Sequence, residues 1–193
     1  MMNHMETVLA VITGIGLSAA CGFRVFVPLL ALSLASMFGY LHLAHGFEWI
    51  SGYYATIAFA SATILEVIAY YVPWLDNIMD AIASPVSIIA GTIATASVIT
   101  DMPPSLKWMV AIIVGGGIAG LLQGATTAIR AKSSFFSGGL GNPLIATVEL
   151  IGSAVIAFLA VILPIVGFAL VVALAVYVLI KTGRNFWTKM RTP

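Results

Sequence analysis

Long apolar runs separated by short polar joints make up almost the whole chain. A helix needs roughly 20 predominantly apolar residues to cross a bilayer, with a range of about 17 to 25. Candidate runs lie at 7–21, 25–44, 53–72, 81–100, 107–130, 143–163 and 164–180. The first is short and rich in Gly, Ser and Ala, which suits either a thin spanning helix or a re-entrant segment. The last two meet at Pro164, which cannot continue the preceding helix without losing a hydrogen bond. A tight turn is expected there, because one uninterrupted helix of about 40 residues would be too long for a single crossing. The predicted fold is all-α and polytopic: one integral membrane domain over residues 1–193, with six or seven transmembrane helices, one or two of them broken or re-entrant.

Composition agrees. Apolar residues make up 61% of the chain, against roughly 45–50% in soluble domains, and the mean hydropathy is +1.11. A net charge of +1 gives no sign of a nucleic-acid partner; the expected surroundings are a lipid bilayer. Cys21 is the only cysteine, so no intrachain disulfide forms and the redox compartment cannot be read from it. The stretch Ser18-Ala19-Ala20-Cys21 faintly resembles a lipoprotein cleavage box, but no Lys or Arg precedes it. An uncleaved first membrane segment is the expectation.

Lysine and arginine set the orientation. Lys181, Arg184, Lys189 and Arg191 follow the last run and put the C-terminus in the cytoplasm. Walking back through the runs then places Arg24, Arg130 and Lys132 inside as well, and leaves Lys107 outside. The expected location is the inner membrane of a bacterium. Trp49, Tyr53, Tyr54, Tyr70, Tyr71, Trp74, Trp108 and Trp187 fall near run boundaries, as an aromatic belt should.

Only 8% of residues are charged, and two of them, Glu66 and Glu149, stand alone inside apolar runs. A carboxylate in hydrocarbon costs about 2.5–3.5 kcal/mol even on lenient scales, so both should face a protein interior or a watery path. Glu66 precedes Pro73 by seven residues and Glu149 follows Pro143 by six. At about 1.5 Å per residue, both acids lie roughly 10 Å in from the cytoplasmic side, in one layer. Arg24 is the nearest expected counter-charge. Such a layer reads either as a proton or cation relay or as an ion-paired network locking helices together.

Asp76 and Asp80, four apart with Asn77 between them, would share a helical face just ahead of Pro85. They read as dipole-stabilising acids at a helix start, or as an ion uptake point at the cytoplasmic mouth. In Ser137-Gly138-Gly139-Leu140-Gly141-Asn142-Pro143, the glycines Gly138, Gly139 and Gly141 precede a helix start, with Arg130 and Lys132 upstream. This reads as an anion or headgroup nest, or as a flexible loop whose Asn142 caps the helix. Gly116, Gly120 and Gly124 form a double small-residue motif for close helix contact, and Gln123 adds a polar group to that helix. His42 and His45 lie beside Glu48 without a third metal ligand, so no metal site is expected. No hydrolase, metalloprotease or Cys–His constellation appears; neither enzyme activity nor a cofactor is expected.

Short echoes hint at an internal repeat. Pro28-Leu29-Leu30-Ala31 resembles Pro143-Leu144-Ile145-Ala146, and Ala62-Thr63-Ile64-Leu65-Glu66 resembles Ala146-Thr147-Val148-Glu149. Internal duplication is common in transporters.

These motifs also resemble a known family. Gly22-Phe23-Arg24 with Pro28 comes first; Glu66 with Tyr70-Tyr71, Pro73-Trp74, Asp76-Asn77 and Asp80 follows. Pro85 with Gly91, and Gly138-Gly139-Leu140-Gly141-Asn142-Pro143 with Glu149, complete the set. Together they resemble the bacterial membrane family catalogued as domain of unknown function 4126, over roughly residues 14 to 163. The resemblance implies a multi-helix inner-membrane protein and no particular activity.

Three functions remain open on this reading. The first is a transporter or channel for a small ion or polar solute, lined by Glu66 and Glu149. The second is a structural or accessory membrane subunit, and the third a lipid-headgroup-binding protein. A homo-oligomer is expected, since a chain of this length needs a symmetric partner to enclose a path.

Overall fold

A computed structural model describes residues 4–72 and 75–191, with side chains through Val176 and at Ile180. Pro73 and Trp74 lie outside the described residues, as do the side chains of Lys181, Arg184, Trp187, Lys189 and Arg191. The described residues form seven helices and no strand, the architecture of an all-α polytopic membrane protein. They are α1 (His4–Cys21), α2 (Phe26–Met37), α3 (Tyr53–Tyr71), α4 (Leu75–Val98), α5 (Pro104–Ser137), α6 (Asn142–Ile162) and α7 (Pro164–Arg191). Five of them, α1 and α3 to α6, are long and apolar enough to cross a membrane.

Several boundaries differ from expectation. The run 25–44 yields a helix of only 12 residues. It stops at Met37, where Gly39 turns left-handed (φ 79°) and the amide of Tyr40 reaches back to the carbonyl of Ala35. The run 81–100 begins earlier, at Leu75, so Asp76 and Asp80 lie on α4 and Pro85 sits in its interior. Nearby, the Ser84 hydroxyl bonds the Asp80 carbonyl at 2.8 Å. The run 107–130 extends to 104–137 and contains a π turn at Ala111–Gly116. The break at Pro164 falls where expected, α6 ending at Ile162 and α7 opening on the proline.

α1 is the central element. Leu17, Ala19, Ala20 and Cys21 are fully buried. Small residues allow its neighbours to approach closely: Gly14 meets Thr95 of α4, Gly16 meets Ala160 of α6, and Gly22 meets Ala119 and Leu122 of α5. Hydroxyl groups tie these contacts to backbone carbonyls. Thr95 Oγ1 donates to the Gly14 carbonyl at 3.1 Å and Ser153 Oγ to that of Ala20 at 3.0 Å. Ser18 Oγ donates to the carbonyl of Gly115. The glycine motif of α5 is used only in part. A side chain at Gly116 or Gly120 would collide with α4, whereas Gly124 has nothing within 4 Å.

After α1 the chain reverses at Gly22–Val25 and returns as α2. The turn is buried, with Arg24 and Val25 at most 2% exposed. It therefore ends inside the bundle, not at its surface.

Candidate functional site

The helix ends define one end of the bundle: α3 and α5 finish there, and α4 and α6 begin there. Glu66 lies five residues before the end of α3, and Asp80 five residues into α4. Arg130 lies seven residues before the end of α5, and Glu149 seven residues into α6. At about 1.5 Å per residue all four fall roughly 8–10 Å in from that end. The α1–α2 turn comes down to meet them. The result is a buried layer of Arg24, Glu66, Tyr70, Asp80, Arg130 and Glu149, each no more than 5% exposed.

Glu66 and Glu149 flank the turn on either side but do different things. The Glu66 carboxylate accepts the backbone amides of Val25 (2.8 Å) and Phe26 (3.0 Å). It caps the start of α2 from another helix, satisfying amides that have no partner within α2 and meeting the positive end of its dipole. Glu149 instead faces guanidinium groups. Its Oε2 pairs closely with Arg130 Nη2 and lies 3.5 Å from Arg24 Nη2, while its Oε1 is buried without a partner. Arg24 Nη2 also donates to the Ala146 carbonyl at 2.9 Å.

Arg130 is the hub. Its Nη1 donates to Asp80 Oδ1 at 2.8 Å while its Nη2 holds Glu149, so one guanidinium ties α5 to α4 and α6. This corrects the assignment of Arg130 to the Gly-rich loop. The helix runs on to Ser137, about two turns past residue 130, and holds the side chain inward. Gln123, Thr126 and Arg130 are all buried on one stripe of α5, a spacing of three and four that marks this face as polar.

Tyr70 lies between the two arginines. The Arg24 guanidinium carbon is 3.8 Å from the ring centroid and that of Arg130 is 4.1 Å away. The ring thus interacts with both cations through its π face, and its hydroxyl donates to Asp80 Oδ1 at 3.1 Å. Tyr70 is not part of an aromatic belt, as its position near a run boundary suggested; it follows Glu66 by one helical turn and shares its buried face. Exposed Trp49, Tyr53, Tyr54 and Trp108 remain compatible with a belt.

A second polar contact lies beneath the layer. Asn142 Nδ2 donates to Asp76 Oδ2 and to Ser134 Oγ (2.8 Å), joining the starts of α4 and α6 to the last turns of α5. Asp76 and Asn142 are each 3% exposed, and Asn142 Oδ1 is buried without a partner. Asn142 is therefore not a cap for its own helix: Gly141 holds that position, with no side-chain capping bond. Asn77 points outward and contributes only its amide, which bonds Asp76 Oδ1 at 2.8 Å.

The Gly-rich loop does not form an open nest. Gly138 and Gly139 are left-handed (φ 62° and 90°). The amides of Leu140, Gly141 and Asn142 bond to Ser137 O, Ser137 Oγ and Gly139 O. Lys132 is exposed, and Arg130 is engaged inside the bundle. No group of three or more His, Cys, Asp or Glu side chains is arranged to hold a metal among the described residues. His45 instead pairs with Glu48 at 3.0 Å in an exposed turn.

No curated protein and no solved structure matches the chain. A family model does, over residues 11–183, and the chain therefore belongs to the family described as Domain of unknown function (DUF4126).

Proposed function

We propose that the protein moves a small ion or polar solute across the bilayer, with the buried layer supplying its proton or cation groups. The observation that supports this is an imbalance of charge. Four carboxylates (Glu66, Asp76, Asp80 and Glu149) face only two guanidiniums, Arg24 and Arg130, and all six residues are at most 5% exposed. An uncompensated charge in a low-dielectric interior is expensive. An excess of two carboxylates is best accommodated by protons or small cations that can come and go. The α1–α2 turn ends at this layer, and broken helices meeting in the membrane are a common setting for ion sites.

On this reading the end where α4 and α6 begin is cytoplasmic, Asp76 and Asn142 sit at the inner mouth, and the C-terminus is inside. The location is a bacterial inner membrane. The protein works as a homo-oligomer and is not an enzyme.

The test is flux. Proteoliposomes containing the wild type should pass protons or a monovalent cation, and Glu66→Gln and Glu149→Gln should each change that flux. No flux for any ion, or the same flux in both variants, would sink the proposal.

A structural-subunit reading also has an observation behind it. Glu66 spends both carboxylate oxygens on the α2 backbone, and Arg130 ties three helices together. If Glu66→Gln unfolds the protein in detergent while the wild type shows no transport, that reading is the better one.

A further inference from the structure

We infer that the ion handled by this layer is a proton, and that Glu149 carries it in competition with Arg130. This rests on the transport reading above and adds the identity and seat of the ion.

The inference follows from which oxygens are free. A hard metal ion takes about six oxygen ligands. Both oxygens of Glu66 accept backbone amides. Asp80 Oδ1 accepts Arg130 and Tyr70. Asp76 accepts the Asn77 amide on Oδ1 and Asn142 on Oδ2. Glu149 Oε2 is held by Arg130 and lies near Arg24. Among the fully buried carboxylate oxygens of the described residues, Glu149 Oε1 alone has no partner. Asp80 Oδ2 also accepts no bond but is not sealed from solvent. Two carboxylate oxygens cannot replace the hydration shell of a metal ion, whereas one buried oxygen is all that a proton requires. The described acids, moreover, form no metal-holding group.

The neighbours of Glu149 fit this role. Arg24 faces it from the α1–α2 turn, Tyr70 and Glu66 belong to α3, Asp80 to α4 and Arg130 to α5. Protonation forms one O–H bond on Oε1 from a carboxylate lone pair and breaks one O–H bond in the hydronium ion that delivers it. Arg130 then loses its charged partner on α6 but keeps Asp80 on α4. The bond between α5 and α6 thus depends on whether Glu149 holds the proton. Arg24 Nε and Nη1 and Arg130 Nε are also buried without partners. These groups donate only, so they cannot take the proton themselves. An anion among them is disfavoured by the excess of carboxylates, whereas water oxygens would satisfy them and relay the proton.

The test is infrared difference spectroscopy on the full-length protein in nanodiscs, reading the carbonyl stretch of a protonated carboxylic acid. Acidification should raise this band in the wild type. The band should be lost in Glu149→Gln and displaced in Glu149→Asp, and adding NaCl, KCl or MgCl2 at fixed pH should leave it unchanged. An undiminished band in Glu149→Gln overturns the inference, as does loss of the wild-type band on adding Na⁺ or Mg²⁺. If Glu149→Gln does not fold, Glu149→Asp decides: an unmoved band there overturns the inference too. Proteoliposome flux separates the two readings. A Glu149 band without proton flux supports the proton site and removes transport. Proton flux that is unchanged in a folded Glu149→Gln supports transport and removes this seat.

Discussion

At the scale of single residues, Arg130 and Tyr70 matter more than their sequence positions suggest. Removing Arg130 leaves Asp80 and Glu149 buried without their shared cation. Arg130→Met should therefore destabilise the protein by about 3–5 kcal/mol, the range for breaking one side of a buried ion pair. Adding Asp80→Asn and Glu149→Gln should recover much of the loss, because the stranded charges are then gone. Thermal melting in detergent would check both, and a triple variant no more stable than the single would contradict the account. Tyr70→Phe keeps the ring between the arginines and removes only the bond to Asp80, so a loss of roughly 1.5–3 kcal/mol is expected.

Glu48, in the exposed turn, is independent of the layer. Hydrogen bonding from its own backbone amide, then from His45 and the Gly46 amide, holds its carboxyl below the usual range. A carboxyl depressed in the fold stabilises it above the unfolded value, about 4.3, and that contribution is lost as pH falls through the lower folded value. Trp49 fluorescence should report a local opening at acid pH in the wild type, and Glu48→Gln should flatten it.

At the scale of helices, small residues set the distances between α1, α4 and α5. A Cβ on Gly91 would lie 2.6 Å from that of Ala119, and one on Gly124 meets nothing within 4 Å. Gly91→Val should cost about 1–3 kcal/mol through overpacking. Gly124→Ala should be neutral or add up to about 1 kcal/mol from helix propensity. Equal melting temperatures for the two variants would contradict the packing described.

The same scale shows what was legible in the sequence. Apolar length marked the runs, because in lipid a segment of that length satisfies its own backbone only as a helix, and length together with the proline marked the break at Pro164. The shared level of Glu66 and Glu149 followed from counting residues to the prolines. The roles did not follow. Glu66 binds amides that are 40 and 41 residues away in the chain, and no local pattern announces such a pairing. Helix ends were the weak point. Placing the end of α5 seven residues early turned Arg130 from a core group into a loop group, and starting α4 late removed Asp80 from the layer. The stripe of Gln123, Thr126 and Arg130 was a signal that could have corrected the first, and the spacing of Tyr70 from Glu66 one that could have corrected the reading of Tyr70 as a belt residue.

For the whole molecule, the α1–α2 turn stops roughly 8–10 Å short of one end of the bundle, about a third of a hydrocarbon core of about 30 Å. A charge resting at that height feels an unequal share of any voltage across the bilayer. Moving one elementary charge through the full potential is worth about 2.3 kcal/mol per 100 mV. Exchange with the nearer aqueous phase would involve about a third of that, and exchange with the farther phase about two thirds. On the proposed transport reading, membrane voltage should therefore act about twice as strongly on exchange with the far side as on exchange with the near side.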